Sequence, residues 1–209
     1  MKLSYNVEQD MKIVVIGATG TVGKAVVAAL EDRHQVLRVG HSNGSERVDI
    51  ASEDSVRALF ERIGQVDAIV VTSGNLHFGP LSETTPEQFR KGIDSKLMGQ
   101  VNVALIGQHY LRRGGSITLT SGIVADEPIA QGFNATTVNA AVEGFARAVA
   151  VDASGAFRIN VVSPTMLTES QDVFGPFFPG FIPQPGAVVA QAYVRSIEGP
   201  QTGRIYKVF

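Results

Sequence analysis

Residues 12–30 read KIVVIGATGTVGKAVVAAL, and this stretch sets the architecture of the chain. An apolar run typical of a strand buried on both faces ends at Gly17, and helix-like apolar periodicity follows from residue 21. Gly17, Gly20 and Gly23 occupy the joint between the two. Glycine there permits a positive φ, a close approach of a pyrophosphate to the backbone, and tight packing of helix on strand. The stretch therefore predicts a dinucleotide-binding turn, with an ordinary strand-to-helix turn as the alternative.

Strand-like and helix-like segments alternate along the rest of the chain. Continuous valine and isoleucine runs favour strands that are covered on both faces, and the alternation favours parallel strands with right-handed crossovers. We therefore predict an α/β fold, a single Rossmann-type doubly wound parallel sheet of about seven strands with helices on both faces. The expected strands are residues 12–17, 35–40, 46–50, 67–74, 115–122, 158–163 and 204–209, and the expected helices are residues 21–33, 52–64, 86–112 and 134–153.

The domain organisation follows from the absence of internal repeats and of an interdomain linker. Residues 11–209 are predicted to form one NAD(P)-binding domain. Residues 1–10 are predicted to form an N-terminal arm that is dispensable for the fold. Residues 164–186 form the one long irregular stretch, rich in proline, glycine and phenylalanine. A loop of that length is typically a lid or binding segment, and its aromatic cluster also fits a subunit contact.

Composition excludes several classes of function. The 209 residues include no cysteine, so disulfides, thiolate metal sites and a cysteine nucleophile are excluded, and we expect no metal site. A net charge of −2 without a basic block argues against nucleic-acid binding. No apolar run is long enough for a membrane span, and the first ten residues lack the core of a signal peptide. The lack of cysteine also fits a reducing compartment, and we expect a cytoplasmic protein.

The end of the second predicted strand indicates which cofactor is preferred. A carboxylate there accepts a hydrogen bond from a ribose 2′-hydroxyl and repels a 2′-phosphate. This chain has HSNGS at residues 41–45 and no acid before Glu46. His41 and Ser42 can donate to a phosphate, so NADP(H) is favoured over NAD(H). The alternative is that these residues form a solvated loop.

In their order and spacing, the motifs from residue 12 to residue 208 resemble those of the short-chain dehydrogenase/reductase family. GATGTVG resembles its glycine motif, DAIVVTSG its strand ending in Asn-Asn-Ala-Gly, and SITLTSG its strand bearing the catalytic serine, here Ser121. VDI resembles its adenine-holding pair, and RINVVSPTMLTES its nicotinamide-holding segment, with Thr165 in place of glycine. With His41 and Ser42, the cofactor-binding residues that the resemblance implies are Gly17, Thr19, Gly20, Thr21, Val22, Gly23, Asp49, Ile50, Thr72, Ser73, Gly74, Pro164 and Thr168.

The resemblance also places the family's catalytic helix. NAAVEGFARA resembles the family's KGAVEGLTRA, which puts Asn139 at the lysine and Ala135 at the tyrosine. Counting forward from Ser121 gives Asn134 and Val138 instead. Neither register supplies a tyrosine, so the chain resembles an atypical member that lacks the catalytic tyrosine.

A second departure lies in DSKLMGQVNV, where Lys96 falls at the place of the family's active-site asparagine. Asparagine at the lysine place and lysine at the asparagine place resemble the exchange in polyketide ketoreductase domains. The alternative is a surface lysine on an amphipathic helix. The catalytic candidates are therefore Ser121, Lys96 and Asn139. Water, Lys96 and His77 remain open as the proton donor.

The resemblance implies an NAD(P)(H)-dependent oxidoreductase with non-standard catalytic residues, acting on a small carbonyl or alcohol. The alternative is a non-catalytic NADP(H)-binding sensor or regulatory protein. An interaction scaffold that binds no cofactor is a less favoured interpretation, because the cofactor motifs are largely retained. The partner is then a small-molecule substrate. The helices at 86–112 and 134–153 correspond to those that pair in family dimers, so we expect a homodimer or homotetramer.

Overall fold

The predicted α/β architecture is confirmed by the computed structural model, which describes residues 10–209. One seven-stranded parallel sheet has the order β3-β2-β1-β4-β5-β6-β7. The predicted arm at residues 1–10 lies outside the described residues except for Asp10. The strands are β1 Lys12–Ile16, β2 Gln35–Gly40, β3 Glu46–Arg47, β4 Val66–Val71, β5 Leu111–Thr120, β6 Arg158–Pro164 and β7 Ile205–Val208.

Helices cover both faces of the sheet, as a doubly wound fold requires. One apolar core lies under the second, fourth and fifth helices, and the other lies under the first and the last. Between residues 10 and 209 no helix is both long enough and apolar enough to cross a membrane. The helices are α1 Thr21–Leu30, α2 Glu53–Ile63, α3 Pro86–Gly92, α4 Met98–Gly107, α5 Phe133–Ala153, α6 Gln171–Phe174 and α7 Gly186–Glu198.

The glycine turn lies where the strand order reverses. The chain runs outward from β1 to β3 and then returns to β4 on the other side of β1, so ligands are expected at the carboxyl ends of these strands. Gly17 has φ +90°, which favours glycine. A Cβ on Gly23 would lie 2.0 Å from the carbonyl oxygen of Gly17, so only glycine lets α1 pack this closely against the turn.

The predicted helix over residues 86–112 is wrong in two respects. Its middle is a π-helical turn, Ile93–Leu97, and the helix ends at Gly107, before a 3₁₀ turn and β5. Single π-helical turns widen a helix by one residue and are frequent at functional sites. This turn carries Lys96, which is buried rather than on the surface.

Other predicted boundaries also shift. The third strand is only two residues long, so Asp49 and Ile50 lie beyond it. β4 and β5 end at Val71 and Thr120, which leaves the motif residues that follow them in loops at the carboxyl edge. Helix α7 was not predicted, because the proline-rich stretch before it obscures where it begins. It packs against α1 and completes the second core.

The irregular stretch over residues 164–186 contains α6 between two 3₁₀ turns. Its two ends are held together, because the N–H of Thr168 donates to the carbonyl of Gln184 and the N–H of Gln184 donates to that of Met166, each at 3.0 Å. The carboxylate of Glu169 accepts from the N–H of Gly186 at the start of α7. The segment between these anchors, residues 169–184, is called the lid below.

The packing of α1 predicts a large difference between two glycine-to-alanine substitutions. Gly23→Ala forces a methyl group into the backbone of the turn and should destabilise the protein by about 1–3 kcal/mol. Gly144→Ala, in α5, meets nothing within 4 Å and should stabilise by about 0.5–1 kcal/mol, because alanine loses less backbone entropy in a helix. Thermal unfolding measures both, and equal midpoints would contradict the tight turn.

Candidate active site

A cavity of about 470 Å³ lies at the carboxyl ends of β4, β5 and β6. The loops that follow these strands form its walls through residues 74–76, 121–124 and 164–167. Phe174 and Phe178 of the lid close one side, and Phe78 joins them from the loop after β4. The lining is mainly apolar, so polar groups that face the cavity stand out.

The three predicted catalytic residues meet in this cavity. Lys96 reaches it from the π-helical turn, Ser121 from the end of β5 and Asn139 from α5. Ala135 lines the same cavity one helical turn before Asn139. Lys96 and Asn139, proposed from the sequence as an exchanged pair, thus line the same cavity.

The structure distinguishes the two registers that the sequence left open. Ala135 and Asn139 line the cavity, whereas Asn134 and Val138 are fully buried and do not. The side chain of Asn134 instead donates to the carbonyl of Phe89 at 2.7 Å and accepts from a backbone N–H at 2.9 Å. Its role is therefore structural, and the site is built on the register of Ala135 and Asn139.

That register moves the serine position by one residue. Gly122 is separated from Ala135 by the same number of residues as Ser121 is from Asn134. Gly122 lines the cavity, and a Cβ built on it would lie 3.3 Å from the amide nitrogen of Asn139. Gly122 thus faces the site at the place where this register expects the family's serine.

Ser121 also lines the cavity, but its hydroxyl is engaged elsewhere. The hydroxyl donates to the buried carboxylate of Glu143 at 2.8 Å, and the second carboxylate oxygen accepts from Arg147 at 3.1 Å. While that bond persists, the Ser121 oxygen can accept a hydrogen bond and has no proton to donate to a carbonyl. Its catalytic role stays a prediction.

The ammonium of Lys96 is the strongest donor in the cavity. Lys96 is 8% exposed, and its Nζ donates to the carbonyl oxygen of Ser121 at 3.1 Å. Among residues 10–209 it forms no ion pair with a carboxylate. Burial disfavours the charged form and lowers the pKa of Lys96 to about 8. Gly74 makes room for it, because a Cβ there would lie 2.6 Å from the Cα of Lys96.

Asn139 and Thr165 each present a polar atom without a partner. The Oδ1 of Asn139 and the Oγ1 of Thr165 are buried and form no hydrogen bond within the described part of the chain. Buried polar atoms are almost always bonded, so unpaired ones at a cavity indicate a place for ligand groups. A ribose hydroxyl would satisfy the Asn139 oxygen.

The predicted cofactor residues divide into two groups along the carboxyl edge. The glycine turn from Gly17 to Gly23 lies beside the loop after β4, since a Cβ on Gly17 would lie 2.4 Å from the hydroxyl of Ser73 and 2.6 Å from that of Thr72. Pro164 lines the cavity, whereas Thr168 is exposed at the base of the lid. The residues of this inner group are Gly17, Thr19, Gly20, Thr21, Val22, Gly23, Thr72, Ser73, Gly74 and Pro164.

The outer group lies beyond β2 and β3. His41 and Ser42 are exposed, and their Nδ1 and Oγ atoms are 3.2 Å apart. Asp49 is exposed and accepts from the N–H of Ala51, which fixes the turn into α2. Ile50 is buried, and its carbonyl accepts from Asn102.

This arrangement fits a nicotinamide dinucleotide. The start of α1 has no side-chain cap and no acidic residue in its first turn, so its N–H groups and the helix dipole remain available for phosphates. The unpaired oxygen of Asn139 lies at the other end, in the cavity. The chain thus offers a phosphate site and a hydroxyl acceptor along one edge of the sheet.

No tyrosine among residues 10–209 lines the cavity. Tyr193 is fully buried within the second core, where its hydroxyl lies 2.7 Å from that of Thr120 and burial raises its pKa. His77 does not line the cavity either, and its Nε2 lies 3.5 Å from the hydroxyl of Thr84. Of the two side chains considered from the sequence as proton donors, Lys96 lines the cavity and His77 does not.

Sequence reasoning missed Glu143 and Gly122. Glu143 follows Ala135 and Asn139 at intervals of four residues, so helical spacing alone places its carboxylate on the same face of α5. That signal was available in the quoted segment. Gly122 had no comparable signal, because only the observed cavity separates it from its neighbour Ser121.

The chain is similar in sequence and in structure to several known proteins. The family model described as enoyl-(acyl carrier protein) reductase matches residues 7–178. The versicolorin reductase of Emericella nidulans is 27% identical over 190 residues, 78% of this chain and 72% of that protein. The crystal structure of lin1944 from Listeria innocua is 46% identical, covers 95% of this chain and 100% of its own, and has a TM-score of 0.93. A small-chain dehydrogenase in complex with NADPH is 28% identical, covers 96% and 97% of the two chains, and has a TM-score of 0.85.

The bond between Ser121 and Glu143 predicts a stability effect that a purely substrate-facing serine would not show. Ser121→Ala leaves a buried carboxylate oxygen unpaired and should cost about 1–3 kcal/mol of unfolding free energy. Ser170→Ala serves as the control, since Ser170 lines the same cavity without a side-chain hydrogen bond in the described chain, and should change stability by less than about 0.5 kcal/mol. Equal, small losses in urea unfolding would contradict the structural role.

Proposed function

The chain belongs to the short-chain dehydrogenase/reductase family of NAD(P)(H)-dependent oxidoreductases, and we propose that it reduces a small apolar carbonyl compound with NADPH, using Lys96 as the proton donor. One observation carries the proposal. A buried ammonium faces an apolar cavity that Ala135 and Asn139 also line, at the place of the family's tyrosine and lysine. Bound cofactor would supply the hydride, and Lys96 would supply the proton.

The chemistry of Lys96 suits this role. A general acid works best when its pKa lies near the working pH, and burial lowers the pKa of Lys96 to about 8. At neutral pH it is therefore mostly protonated, yet gives up a proton far more readily than a solvated lysine. Its contact with the Ser121 carbonyl fixes the ammonium at the wall of the cavity without neutralising it.

Of the exchanged pair, Asn139 is the residue that would bind the cofactor. Its unpaired Oδ1 would accept from the ribose of the nicotinamide half, which is where the family's lysine acts. Its Nδ2 points toward the space beside Gly122, where it can hold the substrate oxygen. Ser121, whose proton is engaged with Glu143, contributes an acceptor only.

The preference for NADPH has two supports. No acid follows β2 before Glu46, while His41 and Ser42 are exposed there as donors for a 2′-phosphate. A similar solved structure is in complex with NADPH.

The cavity favours a substrate with an apolar body. Phe78, Phe174 and Phe178 close one side of it, and a volume of about 470 Å³ suits a compact ring or branched chain. We further propose a homodimer or homotetramer in the cytoplasm. Met98 and Leu105 of α4 and Val151 of α5 are exposed apolar side chains on the helices that correspond to the family's dimer contact. The lack of cysteine fits a reducing compartment.

Substitutions at two positions test the donor. Lys96→Met removes the charge at similar volume and should lower kcat by about 10²–10⁴-fold, the usual worth of a general acid. Ala135→Tyr, made in that background, should restore at least about tenfold, because a phenol then occupies the family's donor position. Stopped-flow oxidation of NADPH, with NADH in parallel, measures both across a panel of apolar ketones.

Ala135→Phe in the same background is the control, since it fills the space without a hydroxyl. Rescue by tyrosine but not by phenylalanine supports a lost proton donor. A Lys96→Met variant that keeps the wild-type rate would show that water or another group donates. Cofactor binding without reduction of any carbonyl would instead favour a binding protein.

A further inference from the structure

A single ionisable side chain faces the cavity. Of the residues that line it, only Lys96 carries a charge. The ammonium is almost buried, donates to a backbone carbonyl and has no carboxylate partner within residues 10–209. Charges in a low-dielectric cavity interact much more strongly than in water, so this ammonium opposes any second positive charge that enters.

The surrounding charged groups do not offset it. Glu143 on α5 lies behind Ser121, and its two oxygens are bound by that serine and by Arg147. Glu169 at the base of the lid binds the start of α7, and His77 contacts Thr84. The other exposed charged groups on the elements packed around the cavity include Glu87, Arg90, Lys91, Asp94, Asp126, Glu127, Asp152 and Asp172.

We propose that the positive charge of Lys96 and that of the oxidised nicotinamide ring exclude each other, so that binding of NADP⁺ expels a proton from Lys96 and binding of NADPH does not. The inference rests on the proposed function, which puts the nicotinamide in this cavity. The reduced ring is neutral and leaves the ammonium undisturbed. The oxidised ring is cationic and is accommodated best beside a neutral amine.

The proposed reaction conserves charge in the cavity. The substrate carbon gains a hydride from NADPH and the substrate oxygen gains the proton of Lys96, so a C=O π bond is replaced by a C–H and an O–H bond. Lys96 is then neutral and the nicotinamide is cationic. The cavity holds one positive charge before and after the reaction, whereas re-protonation of Lys96 adds a second and favours release of NADP⁺.

Linkage fixes the direction of the pH effect. If NADP⁺ disfavours the ammonium, loss of the proton must favour NADP⁺ by the same factor. Affinity for NADP⁺ therefore increases as the pH rises toward about 8, the pKa of Lys96 in its buried position. Affinity for NADPH should not change through this group. At neutral pH this group thus weakens the binding of NADP⁺ and leaves that of NADPH unchanged.

Isothermal titration calorimetry at pH 7.5 tests the proposal through proton release. Each cofactor is titrated in buffers with different ionisation enthalpies, and the value for NADPH is subtracted, which removes contributions from the shared adenosine half. If the charges lower the pKa of Lys96 by one unit, NADP⁺ should release about half a proton more than NADPH. In Lys96→Met the difference should vanish, and NADP⁺ should bind about threefold tighter. Lys91→Met, an exposed lysine one turn away on α3, should behave as the wild type.

The outcomes separate this inference from the proposed function. Equal proton release for both cofactors, with unchanged affinities in Lys96→Met, overturns the charge exclusion and leaves cofactor binding intact. An excess release that persists in Lys96→Met assigns the proton to another group and also overturns it. Binding of neither cofactor contradicts the proposed function itself.

Discussion

The site depends on the hydrogen bond from the buried ammonium of Lys96 to the carbonyl oxygen of Ser121. This bond ties the π-helical turn to the end of β5, and the absence of a side chain at Gly74 lets the two elements approach. Because no carboxylate among residues 10–209 compensates this buried charge, burial lowers the pKa of Lys96 to about 8. That charge is central to the site. It faces the apolar cavity together with the bound Ser121 hydroxyl and the unpaired oxygen of Asn139.

No tyrosine among residues 10–209 lines the cavity, which in the proposed mechanism affects both its electrostatics and the identity of the acid. Ala135 lines the cavity, no carboxylate among residues 10–209 does, and the buried carboxylate of Glu143 is bound by its neighbours. In the mechanism we propose, this one ammonium both donates a proton and responds to the redox state of the nicotinamide. Under this proposal, proton transfer and hydride transfer would be linked through charge as well as through the substrate.

Much of the fold followed from the sequence, because buried parallel strands read as continuous valine and isoleucine runs and the glycines at Gly17 and Gly23 are required by contact. The π-helical turn could not be predicted, because the extra residue shifts the apolar periodicity by one position and α4, which follows it, is buried on most of its faces and hides that shift. The cluster of Lys96, Asn139 and Ser121 was predicted through family resemblance. Ser121 and Gly122 are adjacent in the sequence, and only their packing against α5 distinguishes which of them faces the substrate.

The proton-donor role of Lys96 is tested most directly by the pH dependence of the single-turnover rate of carbonyl reduction with saturating NADPH. The acid form of Lys96 is the active one, so the rate should be level below pH about 8 and fall by about tenfold per pH unit above it. In Lys96→Met the same profile should be flat and low. A wild-type rate that does not change between about pH 6 and 10, or a fall above pH about 8 that persists in the variant, would contradict the assignment.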